Sequence, residues 1–305
     1  MKTTTEPQVQ QISLYEEVTN KIITMIEKGV APWRKPWSTY GQARNYVSGR
    51  SYTGINYLLM NNTKHSIPYF LTFNQVKELG GKVKKGAEAE MVIYFKVFYK
   101  DSNDNTLTPE EANARRLKGE EIKSLRFIRY YSVFNVSDIK EVELDLNRFN
   151  EAKLTDNERI ERCEQIIRNI PKPLELKQID ANRAYYHPTL DYINMPDIKQ
   201  FESSEHYYAT YFHELIHSTG HSTRLARPEI LDYSGFGTTP YSKEELVAEI
   251  GASFLSSFTQ IDYDSVYLNS ASYLTGWLKV LKQDSKFIFK VSAEAQKAVE
   301  YILST

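Results

Sequence analysis

Apolar residues recur at Leu14, Val18, Ile22, Ile23, Met25 and Ile26. This three-to-four spacing predicts an amphipathic helix within residues 12–29. Gly29 closes it, and Pro32 and Pro36 keep the next stretch out of helix. A short helix is predicted over Thr72–Leu79, stopped by Gly80 and Gly81. Met91–Tyr99 (MVIYFKVFY) and Leu125–Phe134 (LRFIRYYSVF) read as strands, because β-branched and aromatic residues crowd both. The charged stretch between them, residues 101–121, predicts an exposed insert, and the polar residues 1–11 predict a disordered tail. Polar residues around Asn147–Asp156 divide the chain into two expected domains, 1–150 and 151–305. The second holds a predicted helix over Glu158–Arg168 and an extended AYYHPTLDYINMP (184–196). A helix carrying His213–His217 and a loop to Pro240 come next. A further helix is expected from Ser242, where Ser242 and Glu245 form a capping-box pattern. The expected class is α+β, with a mixed first half and a helix-rich second half containing a small sheet.

Composition narrows this little: the chain is 41% hydrophobic and 25% charged, ordinary for a globular protein. No apolar run nears the roughly 20 residues a membrane helix needs, and the start lacks the apolar core of a secretory signal. Cys163 is the only cysteine, which excludes a disulfide framework and a thiolate zinc site. A reduced, cytoplasmic setting is expected, with Cys163 a core thiol in ERIERCEQIIRNI. Charge changes the picture more. The net −1 conceals 21 Lys and Arg against 14 Asp and Glu in residues 1–140, and 17 against 25 in the remainder. A basic first half points to an anionic partner.

The most specific pattern is His213–Glu214–Leu215–Ile216–His217. Positions four apart share a helix face, so both imidazoles can address one ion, and Glu214 is placed to act as a base. A chance HExxH in a chain this long is roughly a one-per-cent event. Catalytic zinc takes three protein ligands. Candidates for the third are Glu245 first, then Glu249, then His221, which Gly220 is expected to swing away. Glu244 reads as a solvated charge, and Tyr233 or Tyr241 could donate to an oxyanion. The extended stretch before this helix resembles the edge strand that aligns a peptide in zincins; His187 and Asp191 within it read as structural, and His65 and His206 as ordinary histidines.

In the basic half, rings and cations alternate: Trp33, Arg34, Lys35, Trp37, then Arg44, Arg50 and Tyr52. Lys82, Lys84 and Lys85 form a basic turn, and Arg129 falls on a predicted strand. Single strands are bound this way, with bases on rings and phosphates on cations, without sequence preference. These eleven residues are the candidate nucleic-acid contacts.

Both halves resemble one family, the ArdC-type antirestriction proteins of conjugative plasmids. APWRKPW (31–37), SGRSYTGIN (48–56), YFLTFNQVKELGGKVKKG (69–86) and RYYSVFNVSDI (129–139) carry the likeness in the first half. DYINMP (191–196), YYATYFHELIHSTGHSTRL (207–225), EELVAEIGASFL (244–255) and WLKVLKQD (277–284) carry it in the second. The resemblance implies a single-stranded-DNA-binding domain joined to a zincin-like metallopeptidase domain, protecting incoming plasmid DNA from restriction. It implies metal roles for His213 and His217 and a catalytic one for Glu214, and it carries Glu245 and Glu249 as a pair. The expected partners are single-stranded DNA and a protein substrate or restriction component. The alternative is a DNA-binding factor whose zincin half is a non-catalytic platform.

Overall fold

The apolar stripe at the start of the chain becomes α1 (Leu14–Glu27), opened by a reciprocal cap in which Ser13 Oγ accepts the Glu16 N–H and Glu16 Oε2 accepts the Ser13 N–H. The structure, a computed structural model, describes residues 13–33, 41–149, 154–231, 239–261 and 271–304. The expected tail over residues 1–11 therefore lies outside the described residues. After α1 come β1 (Arg44–Asn45), α2 (Ile55–Met60), β2 (Tyr69–Thr72), α3 (Phe73–Glu78) and β3 (Lys82–Val83). Thr72 and Gln75 cap α3 reciprocally, and Gly80, at φ 79°, supplies the left-handed residue that ends it.

The two predicted strands are β4 (Glu90–Lys100) and, after β5 (Thr106–Leu107) and α4 (Pro109–Leu117), β6 (Lys123–Asn135). They pair antiparallel from Glu90↔Val133 to Lys100↔Lys123. The insert between them is folded, not merely exposed: Thr108 and Glu111 cap α4, and Ala112 is buried. The sheet order is β1-β2-β6-β4-β5. Asn56 on α2 fastens β4 by bonding the N–H and C=O of Ile93, both at 2.7 Å. β7 (Ile139–Lys140) then pairs with β3 in a separate ribbon.

The rest follows as α5 (Asp156–Asn169), β8 (Glu175–Lys177), β9 (Tyr185–His187), β10 (Tyr192–Asn194), α6 (Ser204–Ser218), α7 (Pro228–Leu231), α8 (Thr239–Thr259), α9 (Ala271–Gln283) and α10 (Phe287–Ile302). The predicted extended stretch is a hairpin, with β9 at the edge of a three-stranded sheet of order β8-β10-β9. α8 begins three residues before the predicted Ser242 start, so Ser242 lies inside its first turn; its carbonyl accepts the Trp277 indole N–H at 2.9 Å.

One buried cluster unites Val18, Ile22 and Ile26 of α1, Trp33, Leu58 of α2 and Ile93 of β4 with Phe212, Ile216, Leu246, Ile250, Trp277 and Ile288. The hydrophobic core therefore crosses the polar segment at 147–156. Cys163 is a core thiol, and burial pushes it up to about 12. Among the described residues, no helix is long and apolar enough to cross a membrane.

Candidate metal centre

α6 is buried on every side from Tyr207 to Ser218, so its polar side chains must find partners inside the protein. It lies hard against α8. A Cβ at Gly251 would sit 2.7 Å from Ile216 Cδ1, so glycine lets the two helices approach. That approach carries Glu245 to the two histidines. His213 Nε2 and His217 Nε2 lie 3.1 Å apart. Glu245 Oε2 is 3.5 Å from the first, and its Oε1 is 3.4 Å from the second. Ligand atoms of these three buried residues fall within 4.8 Å of one another.

The outer nitrogens explain why this arrangement fits a cation. His217 Nδ1 lies 3.1 Å from Glu244 Oε1; a carboxylate only accepts, so Nδ1 carries the proton. His213 Nδ1 faces Glu249 Oε1 at 3.6 Å. With Nδ1 protonated, a neutral ring turns its Nε2 lone pair inward, and both lone pairs converge beside the Glu245 carboxylate. Such a cluster is stabilised by positive charge at its centre, whether a proton or a cation. Burial works against charging the rings, but Glu244 and Glu245 outweigh it and lift His217 to about 10. Burial likewise opposes charge on His213, yet Glu245 raises it, and both histidines hold the buried Glu245 below the ordinary carboxylate range. The same field that attracts a proton attracts a divalent ion.

Glu244 is the clearest departure from the sequence reading, which took it as solvated. It is 3% exposed and binds Arg227, whose Nε donates to Oε2 at 2.8 Å. Burial opposes its charge, but Arg227 and His217 hold it ionised. Arg227 also donates to the Ile216 carbonyl at 2.8 Å, satisfying an end of α6, and to Thr219. Nothing in the sequence pattern marked Arg227. Glu214 sits at 4% exposure, and its Oε2 accepts the N–H of Tyr186 on the edge strand β9 at 2.8 Å. Tyr186 OH donates to Asp191 Oδ1 at 2.8 Å, and Arg224 holds Asp191, which adopts φ 52°. His221 stays out of the cluster, with Nδ1 3.0 Å from Thr223 Oγ1; a Cβ at Gly220 would meet Ile230 at 2.6 Å. Glu249 lies on the far side of His213 from Glu245, at Nδ1 rather than Nε2.

The candidate nucleic-acid contacts fare unevenly. Trp33 is fully buried, edge-on to Trp277 at 5.6 Å, and Tyr52 is 6% exposed, so neither ring is available to stack a base. A core anchor and an exposed stacking ring look alike in a sequence. Arg44 lies 5.3 Å over the Phe149 ring. Arg50, Lys82, Lys84, Lys85 and Arg129 are exposed, with Lys82 paired to Glu141 and Lys84 bonded to the Ser137 carbonyl. Arg34, Lys35, Trp37 and Tyr233 lie outside the described residues, as does the Tyr241 side chain.

Comparison with known proteins matches residues 12–134 to the N-terminal domain of the anti-restriction factor ArdC and residues 161–294 to a zincin-like metallopeptidase family. Two Escherichia coli DNA primases TraC are 31% and 30% identical over 95% of this chain. The chain spans only 27% and 20% of their lengths. The protein y4eC of Sinorhizobium fredii is 29% identical, and the match covers 91% of it. The metal-free crystal structure of ArdC from plasmid R388 superposes with a TM-score of 0.73 at 31% identity, covering 95% of this chain and 97% of that one. The Mn(II)-bound structure of the same protein gives 0.72 at 32%, covering 96% and 98%. The chain belongs to the ArdC family of antirestriction proteins, with an ArdC N-terminal domain followed by a zincin-like domain.

Proposed function

We propose that this protein is an antirestriction factor that binds single-stranded DNA without sequence preference and hydrolyses peptide bonds at a zinc site. His213, His217 and Glu245 are the ligands and Glu214 is the general base. The observation that carries the reading is the convergence of two Nε2 atoms and the Glu245 carboxylate in one buried space, beside a glutamate held by the edge strand. A zinc ion bound there supplies Lewis acidity toward water and a substrate carbonyl. The protein's own groups do the rest. Glu214 Oε1 takes the proton of the attacking water and returns it to the departing amine, while the Tyr186 N–H on Oε2 fixes the carboxylate's orientation. Glu244 keeps the Nδ1 proton of His217 in place and Glu249 faces Nδ1 of His213, so each ring presents Nε2 inward.

Two observations on other proteins support the metal and the setting. R388 ArdC takes Mn(II), and the TraC relatives are DNA primases. The basic first half supports a polyanionic partner. On this reading the chain acts on proteins met on incoming single-stranded DNA, and so protects that DNA during conjugative entry into a recipient's cytoplasm.

The test pairs the wild type with Glu214→Gln, incubated with an unfolded protein substrate, zinc and a single-stranded oligonucleotide. Cleavage by the wild type alone, with equal DNA binding by both, is the expected result. Cleavage by neither would leave the zincin half as a binding platform. Equal cleavage by both would remove Glu214 as the base.

A further inference from the structure

The β4–β6 pair presents one face on which rings and cations are interleaved. In an antiparallel pair, directly opposed residues share a face. Tyr94 opposes Arg129, Lys96 opposes Phe127, and Tyr131 and Phe98 continue the face on either side. Rings and cations therefore alternate along both strands and across them. Tyr94 is 43% exposed, Phe127 45% and Tyr131 38%. Tyr94 and Tyr131 have centroids 5.9 Å apart, Phe98 and Phe127 5.6 Å, and Lys96 Nζ lies 4.9 Å from the Phe98 centroid. Residues 91–100 and 123–135 contain no Asp or Glu. Among the described residues, no acidic side chain pairs with Lys96 or Arg129.

The opposite face is largely covered, although Phe95 and Tyr130 on it remain 44% and 53% exposed. Met91 and Ile128 pack on the main core, Ile93 is buried in it, Phe95 meets Phe289 of α10, and Arg116 of α4 covers Tyr99. Exposed rings of this size are costly to leave in water, and a plain packing surface would not interleave them with unpaired cations. Unpaired bases stack on such rings while phosphates meet the cations. A duplex keeps its base faces stacked internally, so exposed rings favour the single strand.

We propose that this face, carried by Tyr94, Lys96, Phe98, Phe127, Arg129 and Tyr131, is the track on which single-stranded DNA lies. The inference rests on the single-strand reading above and gives that binding a location on the exposed rings of the hairpin rather than the buried rings of Trp33 and Tyr52. On each strand the rings stand four residues, about 13 Å, apart with a cation between them, so the track offers ring and cation in turn along an extended chain. Asn56, by fixing the backbone of Ile93, holds the hairpin in place against the body of the protein.

The test uses the full chain and a labelled, unstructured oligo(dT), with affinity read by anisotropy across a salt series. Tyr94→Ala combined with Phe127→Ala is expected to weaken binding about tenfold or more. Arg129→Ala is expected to lower the slope of log affinity against log salt by about 0.7. Arg126→Ala, on the opposite face, serves as the control and should change affinity less than twofold, about 0.4 kcal/mol. All three alter exposed side chains, and Arg129→Ala reads the same face should the double variant fold poorly. Wild-type binding that survives both hairpin substitutions would overturn the track while leaving single-strand binding intact. Equal losses in Arg126→Ala and Arg129→Ala would replace it with a diffuse charge effect. Equal affinity for a blunt duplex, or tighter binding of oligo(rU), would overturn single-stranded DNA as the occupant. No binding of any oligonucleotide by the wild type would overturn the broader reading as well.

Discussion

On the proposed chemistry, which nitrogen of each histidine faces inward matters, and three carboxylates stand where they favour the Nε2 atoms. Glu245 meets both Nε2 atoms, whereas Glu244 and Glu249 stand at the two Nδ1 atoms. The HExxH run was legible because a four-residue spacing maps onto one helix face whatever surrounds it. The roles of Glu244 and Glu245 were not separable in the same way. Adjacent helical residues point about 100° apart, and only the position of α6 decides which points at Nε2. Glu214→Gln keeps the shape of the carboxylate and loses its basicity. We expect it to retain metal and DNA binding while cleavage falls by a factor on the order of 10²–10⁴, measured by single-turnover proteolysis. Glu244→Ala acts differently, since it strands the 4%-exposed Arg227 without its counter-charge. Urea titration should show a loss of about 3–5 kcal/mol in stability. A loss below about 1 kcal/mol would mean that the Arg227–Glu244 pair adds little beyond its own desolvation cost.

At the scale of elements, the site is made by two helices pressed together and one edge strand laid beside them. The local pattern of residues located α1 by its apolar spacing, β4 and β6 by their β-branched and aromatic content, and α6 by its HExxH spacing. It misplaced the start of α8, where Ser242 and Glu245 imitate a cap inside a helix already under way. It also left the residues 101–121 insert as an exposed stretch, although Thr108, Pro109 and Glu111 spell the opening of α4. Gly251 is the element-scale residue on which the approach of Glu245 to the two histidines depends. Gly251→Ala would place a methyl 2.7 Å from the fully buried Ile216 and push α8 off α6. We expect a cost of about 1–3 kcal/mol in thermal or urea unfolding, together with weaker metal binding. Adding Ile216→Val, which removes the nearest atom, should restore part of both. An unchanged metal affinity in Gly251→Ala would show that Glu245 reaches the histidines without this close packing.

Across the whole molecule, the basic and acidic halves of the sequence share one core, with Trp33 against Trp277 and Ser253 Oγ bonded to the Trp33 carbonyl. Charge asymmetry reads the outside of a protein and says nothing about which apolar residues meet inside it. That is why the polar stretch at 147–156 was legible and the core that crosses it was not. The same limit hid the difference between Trp33, a core anchor, and Tyr94, an exposed ring. Trp33→Ala should therefore cost about 3–5 kcal/mol in stability, and the folded fraction should bind oligo(dT) as the wild type does. Calorimetry of the intact chain should show one unfolding transition that involves both halves. The most direct test of the account is elemental analysis of purified wild type, Glu245→Ala and Glu249→Ala after zinc loading and dialysis. About one zinc per folded chain in the wild type, lost in Glu245→Ala and retained in Glu249→Ala, is the predicted result. A folded wild type without metal, or a Glu245→Ala variant that keeps it, would contradict the assignment of His213, His217 and Glu245 as the ligands.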